Sequence, residues 1–468
     1  MTKRPFIHII LVVVFLFSCN GTVKEPSVAG TFYPSDKEQL NDLVSQFLVK
    51  AGKSSNEGRL IALISPHAGY VYSGQVAAFG YKEIKGKDIR NVILIGPSHR
   101  VAFTGASVYT KGGFRTPLGT VKINGKIAEA LLNEDADVRF YPEAYAQEHS
   151  LEVQLPFLQK VLKDFTIVPV LIGSPTRKTF EHLISRLPEI LDEKTLLVAS
   201  TDLSHFHDYS TAKEMDSEVI EAIETLSAGN IEGLLRKGTG ELCGVYPVMI
   251  TLEAAKRAGA NMGVLYNYAN SGDVTGDKQR VVGYASMGLY RSHLTEKERE
   301  ELLQLARQAI TEYVTKGRVL EKEVKNPKFR TEGAVFVTIK KGGNLRGCIG
   351  HVQPIMPLYR SVIQNAVAAC SSDPRFPPMK KDELKDVEIE ISILSPLKPV
   401  KDIKEIQVGK HGLVIVKGMR RGLLLPQVAT EFGWDREAFL EHLCSKAGLQ
   451  KDDWKGADLY TFTAEIIK

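Results

Sequence analysis

Apolar residues fall in short runs separated by amphipathic segments through most of the chain. Two of these runs, Leu60–Ile64 and Val92–Ile95, have the length and β-branched content of buried strands. Between them, Gly74–Lys85 carries apolar residues at helical spacing. Each strand run ends in a turn signal and then a histidine, Ser65-Pro66-His67 and Gly96-Pro97-Ser98-His99. A right-handed strand–helix–strand crossover places the two strand ends side by side. The pattern therefore predicts His67 and His99 close together on one rim of a sheet.

The same reading extends in both directions. Asp36–Lys50 predicts a helix with Ser35 as its N-cap, and Gly125–Asn133 predicts another. Polar groups on one side of Glu148–Pro156 predict a further helix start. Phe165–Ile172 and Thr195–Ser200 read as buried strands, and the second runs into Thr201-Asp202-Leu203-Ser204-His205. Helices follow at Ala212–Leu226, Ile231–Lys237 and Val245–Ala258, then a closing strand pair at Gly263–Ala269 and Gln279–Leu289. Alternating strands and helices over residues 26–292 predict a three-layer α/β domain with a mostly parallel central sheet. After the charged helix Thr295–Lys316 the pattern changes. Strands at Ala334–Ile339, Leu345–Gly350, Val387–Leu394, Gly412–Lys417, Arg421–Leu425 and Leu459–Ile467 accompany helices at Leu358–Cys370, Gln427–Phe432 and Arg436–Ala447. This predicts an α+β domain with an antiparallel sheet over residues 297–468.

Length supports two such units, since 468 residues exceed one ordinary core. A net charge of +5 is small for this length, and no basic block exceeds pairs such as Arg420-Arg421, which argues against a nucleic-acid partner. The N-terminus reads as targeting sequence. Lys3 and Arg4 precede the apolar run Phe6–Phe17, followed by Ser18-Cys19. The run is short for a membrane span. A cysteine after a small residue resembles a bacterial lipobox, which makes residues 1–19 a lipoprotein signal with Cys19 lipidated. The alternatives are a plain signal peptide or an uncleaved signal anchor. Asn20, in place of Asp, favours the outer over the inner membrane in the cell envelope. Cys243, Cys348, Cys370 and Cys444 are widely spaced with no CxxC, so they form no disulfide framework.

The chemistry candidates in the first unit are His67, His99, Glu148, His149, Asp202, His205 and Cys243. His67, His99, Asp202 and His205 all follow strands, which gathers them on one rim. Two imidazoles and a thiolate suit Zn, Fe or Cu. Cys243 precedes a helix whose dipole would lower its pKa, although a lone cysteine is more often a small buried hydrophobe. Asp202 is placed to orient His205 as a general base, or both cap a turn. Glu148 and His149 shape the pocket or cap their helix.

These residues resemble the Memo family. The resemblance rests on Ala29-Gly30-Thr31-Phe32-Tyr33-Pro34, Ser65-Pro66-His67-Ala68-Gly69-Tyr70, Gly96-Pro97-Ser98-His99, Glu148-His149-Ser150-Leu151-Glu152, Asp202-Leu203-Ser204-His205 and Cys243-Gly244. That family is similar in fold to LigB-type extradiol dioxygenases, which hold iron with two histidines and a glutamate. The resemblance implies His67, His99 and Cys243 as ligands of one iron or copper ion, and His205 as the acid/base histidine. It does not imply ring cleavage, because thiolate for carboxylate makes a different site. Family members are also linked to phosphopeptide binding and metal handling. The second unit resembles the AMMECR family through Leu345-Arg346-Gly347-Cys348-Ile349-Gly350 and Asp373-Pro374-Arg375-Phe376. There Arg346 is the candidate for binding an anion, and Cys348 is a packing residue or a catalytic thiol. Memo-like and AMMECR-like proteins accompany a radical SAM protein in the AmmeMemoRadiSam set, which implies such a partner. Two functions follow from the resemblance: an envelope-anchored metal-dependent oxidoreductase, or a non-catalytic module that handles metal or binds a small molecule or peptide.

Overall fold

The computed structural model describes residues 23–52 and 58–468. The expected lipobox, with Cys19, lies outside the described residues. Among the described residues the first unit contributes twelve strands: β1 (Val23–Lys24), β2 (Arg59–Ser65), β3 (Asn91–Pro97), β4 (Ala106–Val108), β5 (Gly113–Thr116), β6 (Gly119–Lys122), β7 (Val138–Arg139), β8 (Thr166–Ile172), β9 (Thr195–Ser200), β10 (His205–His207), β11 (Met262–Asn270) and β12 (Val281–Arg291). Nine of them form one sheet in the order β10-β12-β2-β9-β3-β8-β4-β7, with β11 also on β12. Its centre, β2-β9-β3-β8, is parallel. The antiparallel pairs β2–β12 and β8–β4 close that block on its two sides.

Central strands buried on both faces read as continuous apolar runs. Val92, Ile93, Leu94 and Ile95 of β3 are all buried, and their side chains alternate between two cores on opposite sides of the sheet. Burying each such side chain contributes roughly 1.5–3 kcal/mol. The strand ends are therefore a firm platform for the histidine-bearing loops beyond them.

The structure corrects three local expectations. Asp36, not Ser35, caps the helix Lys37–Lys50, accepting the Gln39 N–H at 2.9 Å. The helix after β2 begins at Tyr70, four residues earlier than its apolar spacing predicts, because Tyr70 itself is buried. Glu148–Leu151 is irregular; a short 3₁₀ turn at Glu152–Gln154 leads into the helix Leu155–Val161. Pro156 lacks an N–H and fits only the first turn of a helix, so the polar residues before it remain outside.

The second unit has two four-stranded antiparallel sheets where the sequence predicts one. Its strands are β13 (Ala334–Lys341), β14 (Asn344–Gly350), β15 (Val387–Leu394), β16 (Lys398–Pro399), β17 (Gly412–Lys417), β18 (Arg420–Leu424), β19 (Asp458–Phe462) and β20 (Ala464–Ile467). They order as β14-β13-β15-β20 and β16-β19-β17-β18. The single strand expected at Leu459–Ile467 breaks at Thr463, whose N–H donates to Ser395 Oγ while the Ser395 N–H donates to its carbonyl. The chain thereby switches sheets, β19 serving one and β20 the other.

Candidate metal centre

The strands that end in His67 and His99 are not neighbours, as the crossover reading has them. Strand β9 lies between β2 and β3. The two histidines nevertheless converge over the end of β9, with ring centroids 5.1 Å apart. The intervening strand supplies the groups that hold one of them.

His67 is buried, and its backbone N–H and both ring nitrogens are engaged. Its backbone N–H donates to Asp202 Oδ1 at 2.7 Å, Nδ1 lies 2.9 Å from Ser200 Oγ, and Nε2 lies 3.1 Å from Cys243 Sγ. Burial, with His99 and His149 close by, keeps the ring's pKa well below the ordinary histidine value. The ring is therefore neutral and available as a ligand.

His99 is held by a carboxylate. Glu148 accepts the His99 backbone N–H at 2.6 Å, faces His99 Nδ1 at 3.0 Å, and accepts the N–H groups of His149 and Ser150, both at 2.9 Å. Burial alone would raise this carboxyl, but the His99 ring and these N–H groups bring it down to about 2. An ionised carboxylate only accepts, so His99 Nδ1 is the donor and Nε2 is left to face the cluster.

The third nitrogen comes from His149. Its ring stacks on His99 at 4.8 Å and meets His67 edge-on at 5.4 Å. One ligand atom from each of His67, His99 and His149 lies within 4.8 Å of the others, and this three-histidine cluster could hold a metal ion. Burial brings the His149 pKa down to about 4; its buried Nδ1 makes no hydrogen bond but lies 3.3 Å from Glu148 Oε1. Three imidazoles gathered this closely fit an ion.

Cys243 sits at the edge of this cluster, against His67. Its Sγ accepts the Asp202 N–H at 3.2 Å. The expectation that the following helix lowers its pKa fails. Burial and the nearby Asp202 push the thiol up to about 12. The first amide after it, Gly244 N–H, donates to Thr201 Oγ1 rather than to the sulfur. A cation at the site would reverse this, since coordination deprotonates a thiol.

Asp202 also differs from its expected role. It holds the backbone of His67, not the ring of His205, and burial raises its carboxyl to about 7. His205, half-buried on β10, faces Glu241 with Nδ1 3.9 Å from Oε1, and Glu241 also holds His207 Nε2 at 2.8 Å. Between these histidines, Phe206 adopts φ 63° and lies exposed beneath the Arg280 guanidinium. A bulky residue in the left-handed region marks a constrained rim.

In the second unit Arg346 is paired in bidentate fashion with Glu383, at 2.9 and 3.0 Å. Its charge is thus already compensated, which removes the reason for expecting an anion there. Cys348 is half-buried and accepts from Thr338 Oγ1, and burial raises its pKa. Burial of this kind suits the packing role of the two expected for this thiol. Its backbone N–H is held by Asp373, which Arg375 clamps in turn.

A family model described as Memo-like protein matches residues 24–288, and one described as AMMECR1 matches residues 303–467. A MEMO1 family protein of Thermoplasma acidophilum is 36% identical over 265 residues, covering 56% of this chain and 97% of that protein. One from Methanopyrus kandleri is 37% identical over 276 residues, covering 56% and 98%. One from Aquifex aeolicus is 38% identical over 269 residues, covering 57% and 98%. The crystal structure of an uncharacterized protein from Pyrococcus horikoshii shares 40% identity at a TM-score of 0.36, covering 37% of this chain and 92% of that one.

Proposed function

The chain belongs to the Memo-like protein family through residues 24–288 and carries an AMMECR1 unit over residues 303–467, and from that premise we propose a metal-dependent oxidoreductase at the cell envelope. The observation that carries the reading is the convergence of His67, His99 and His149, with the Cys243 sulfur 3.1 Å from His67 Nε2. In this proposal His67, His99 and Cys243 hold one iron or copper ion, and His149 lines the open side. Bound there, iron or copper supplies one-electron redox chemistry. The chain's own residues do the rest. Glu148 orients His99, Asp202 fixes the backbone of His67, and His205 moves protons with Glu241 behind it.

Elemental analysis of the full chain, purified without oxygen, tests the site. One iron or copper per chain is expected, lost in His67→Ala and Cys243→Ala and largely retained in His205→Ala. Full occupancy in the first two variants would place the ion elsewhere. His149→Ala separates the two candidate ligand sets: if it empties the site while Cys243→Ala does not, the three histidines are the ligands. Cys243→Glu recreates two histidines and a carboxylate, and should keep iron while weakening copper(I), which prefers thiolate.

A second reading draws on the rim. Tyr72, Phe206 and Tyr246 are exposed, and each lies within five residues of His67, His205 or Cys243 in sequence. Exposed aromatics this close in sequence to the histidine and cysteine loops suit a module that binds a peptide or small molecule. Binding without turnover, unchanged in His205→Ala, would favour it. For either reading a radical SAM protein is the proposed partner, testable by co-purification.

A further inference from the structure

Beyond the ligands, the structure shows what aims one of them. Gln154 is buried with both ends of its amide engaged. Tyr81 OH donates to Oε1 at 2.7 Å, while Nε2 donates to the Pro66 carbonyl at 3.0 Å and to Ser200 Oγ at 2.9 Å. The Pro66 carbonyl can only accept, so the nitrogen must face it and the amide cannot be reversed. Ser200 Oγ has one hydrogen to give. It lies 2.6 Å from the Ser150 carbonyl, which also can only accept, so the hydroxyl hydrogen points there. With Gln154 on one lone pair, Ser200 has only a lone pair left for His67 Nδ1 at 2.9 Å. His67 must therefore donate from Nδ1, which leaves Nε2 bare toward Cys243 and the cluster.

We propose that Ser200, with its hydroxyl direction set by the Ser150 carbonyl and Gln154, is a positioning residue that locks His67 as the Nδ1–H tautomer. Residues 148–154 then set both histidines by unlike means: Glu148 acts directly on His99, and Ser150 and Gln154 act on His67 through Ser200. The purpose assigned to the lock rests on the metal reading above; the lock itself does not.

The test is long-range 1H–15N correlation of histidine-labelled, metal-free full chain, with the His67 signals identified by their loss in His67→Asn. The expected spectrum shows His67 protonated at Nδ1 and bare at Nε2. An Nε2–H tautomer in the wild type overturns the proposal, whatever the protein does with metal. Ser200→Ala should shift His67 toward Nε2–H, with the Cys243 sulfur as its new acceptor, and Ser200→Thr should restore the original tautomer. An unchanged tautomer in Ser200→Ala overturns the proposal as well. Cobalt(II) titration of the same samples carries the consequence. Affinity should fall roughly 10–100-fold in Ser200→Ala, as for other groups that orient a ligand, and return in Ser200→Thr. If cobalt does not bind the wild type while the tautomers behave as stated, the metal reading fails and the lock stands. Should Ser200→Ala not fold, the wild-type spectrum alone still decides.

Discussion

Glu148 is the single side chain on which most of the site's order converges. It accepts from the His99 ring and from the backbone N–H groups of His99, His149 and Ser150. Its carboxyl lies at about 2 against an ordinary 4.5. A depressed folded-state pKa means stability that is present above the unfolded value and lost as pH falls toward the folded one. The pH window is therefore about 4.5 down to about 2, and the linked free energy is roughly 3 kcal/mol. Glu148→Gln should remove this dependence: its thermal midpoint should fall below the wild type's at pH 7, and the gap should close as pH drops through that window. A gap that stays constant from pH 7 to pH 2.5 would mean that Glu148 carries no such linkage. The same variant should bind metal roughly 10–100-fold more weakly, because His99 loses the acceptor that aims it.

At the scale of elements, the rim forms because β9 and the loop before the helix Val245–Arg257 approach closely at Gly244. A Cβ added there would meet the Ser200 carbonyl oxygen and the Thr201 Cβ, each at 2.7 Å. Gly244→Ala should thus push Cys243 away from His67, at a cost of about 1–3 kcal/mol for the overpacking. The readout is loss of the sulfur-to-cobalt charge-transfer band while far-UV circular dichroism stays native; a band that persists at full strength would show that the loop absorbs the methyl. The strand-end histidines were legible in the sequence because a turn after a buried apolar run marks the rim of an α/β sheet. The strand order was not. Nothing in Leu60–Ile64 or Val92–Ile95 reveals that β9, a hundred residues later, inserts between them. Gln154 and Ser200 escaped for a related reason. Their roles depend on hydrogen bonds to backbone carbonyls brought near only by the fold, and neither residue type nor spacing signals that. The Cys243 reading failed on magnitude, since a helix-terminus effect of about 0.3–1 kcal/mol is outweighed by desolvation and a neighbouring carboxylate.

On the scale of the whole chain, the apolar cores divide at about residue 292. Two lie on the faces of the large sheet, and three belong to the second unit from Leu294 onward. Polar pairs join the units, among them Lys256 with Glu332 and Arg330 with Glu221. Exposed pairs of this kind contribute at most about 1 kcal/mol each, so residues 26–292 should fold and hold metal alone. Aggregation of that fragment beside a well-behaved full chain would count against the division. The remaining prediction concerns the N-terminus. The run Phe6–Phe17 would reach only ~18 Å as a helix, against a hydrocarbon core of ~30 Å, so its apolar residues suit a processed signal better than a span. Cys19 directly follows a small residue at the end of that run. Lipidation there would make the membrane attachment a property of one sulfur atom. Cys19→Ala should then move the protein out of the membrane fraction and remove the lipid mass from the N-terminal peptide. If the variant stays in the membrane fraction, with an N-terminal peptide that differs only by the substitution, the attachment does not run through Cys19.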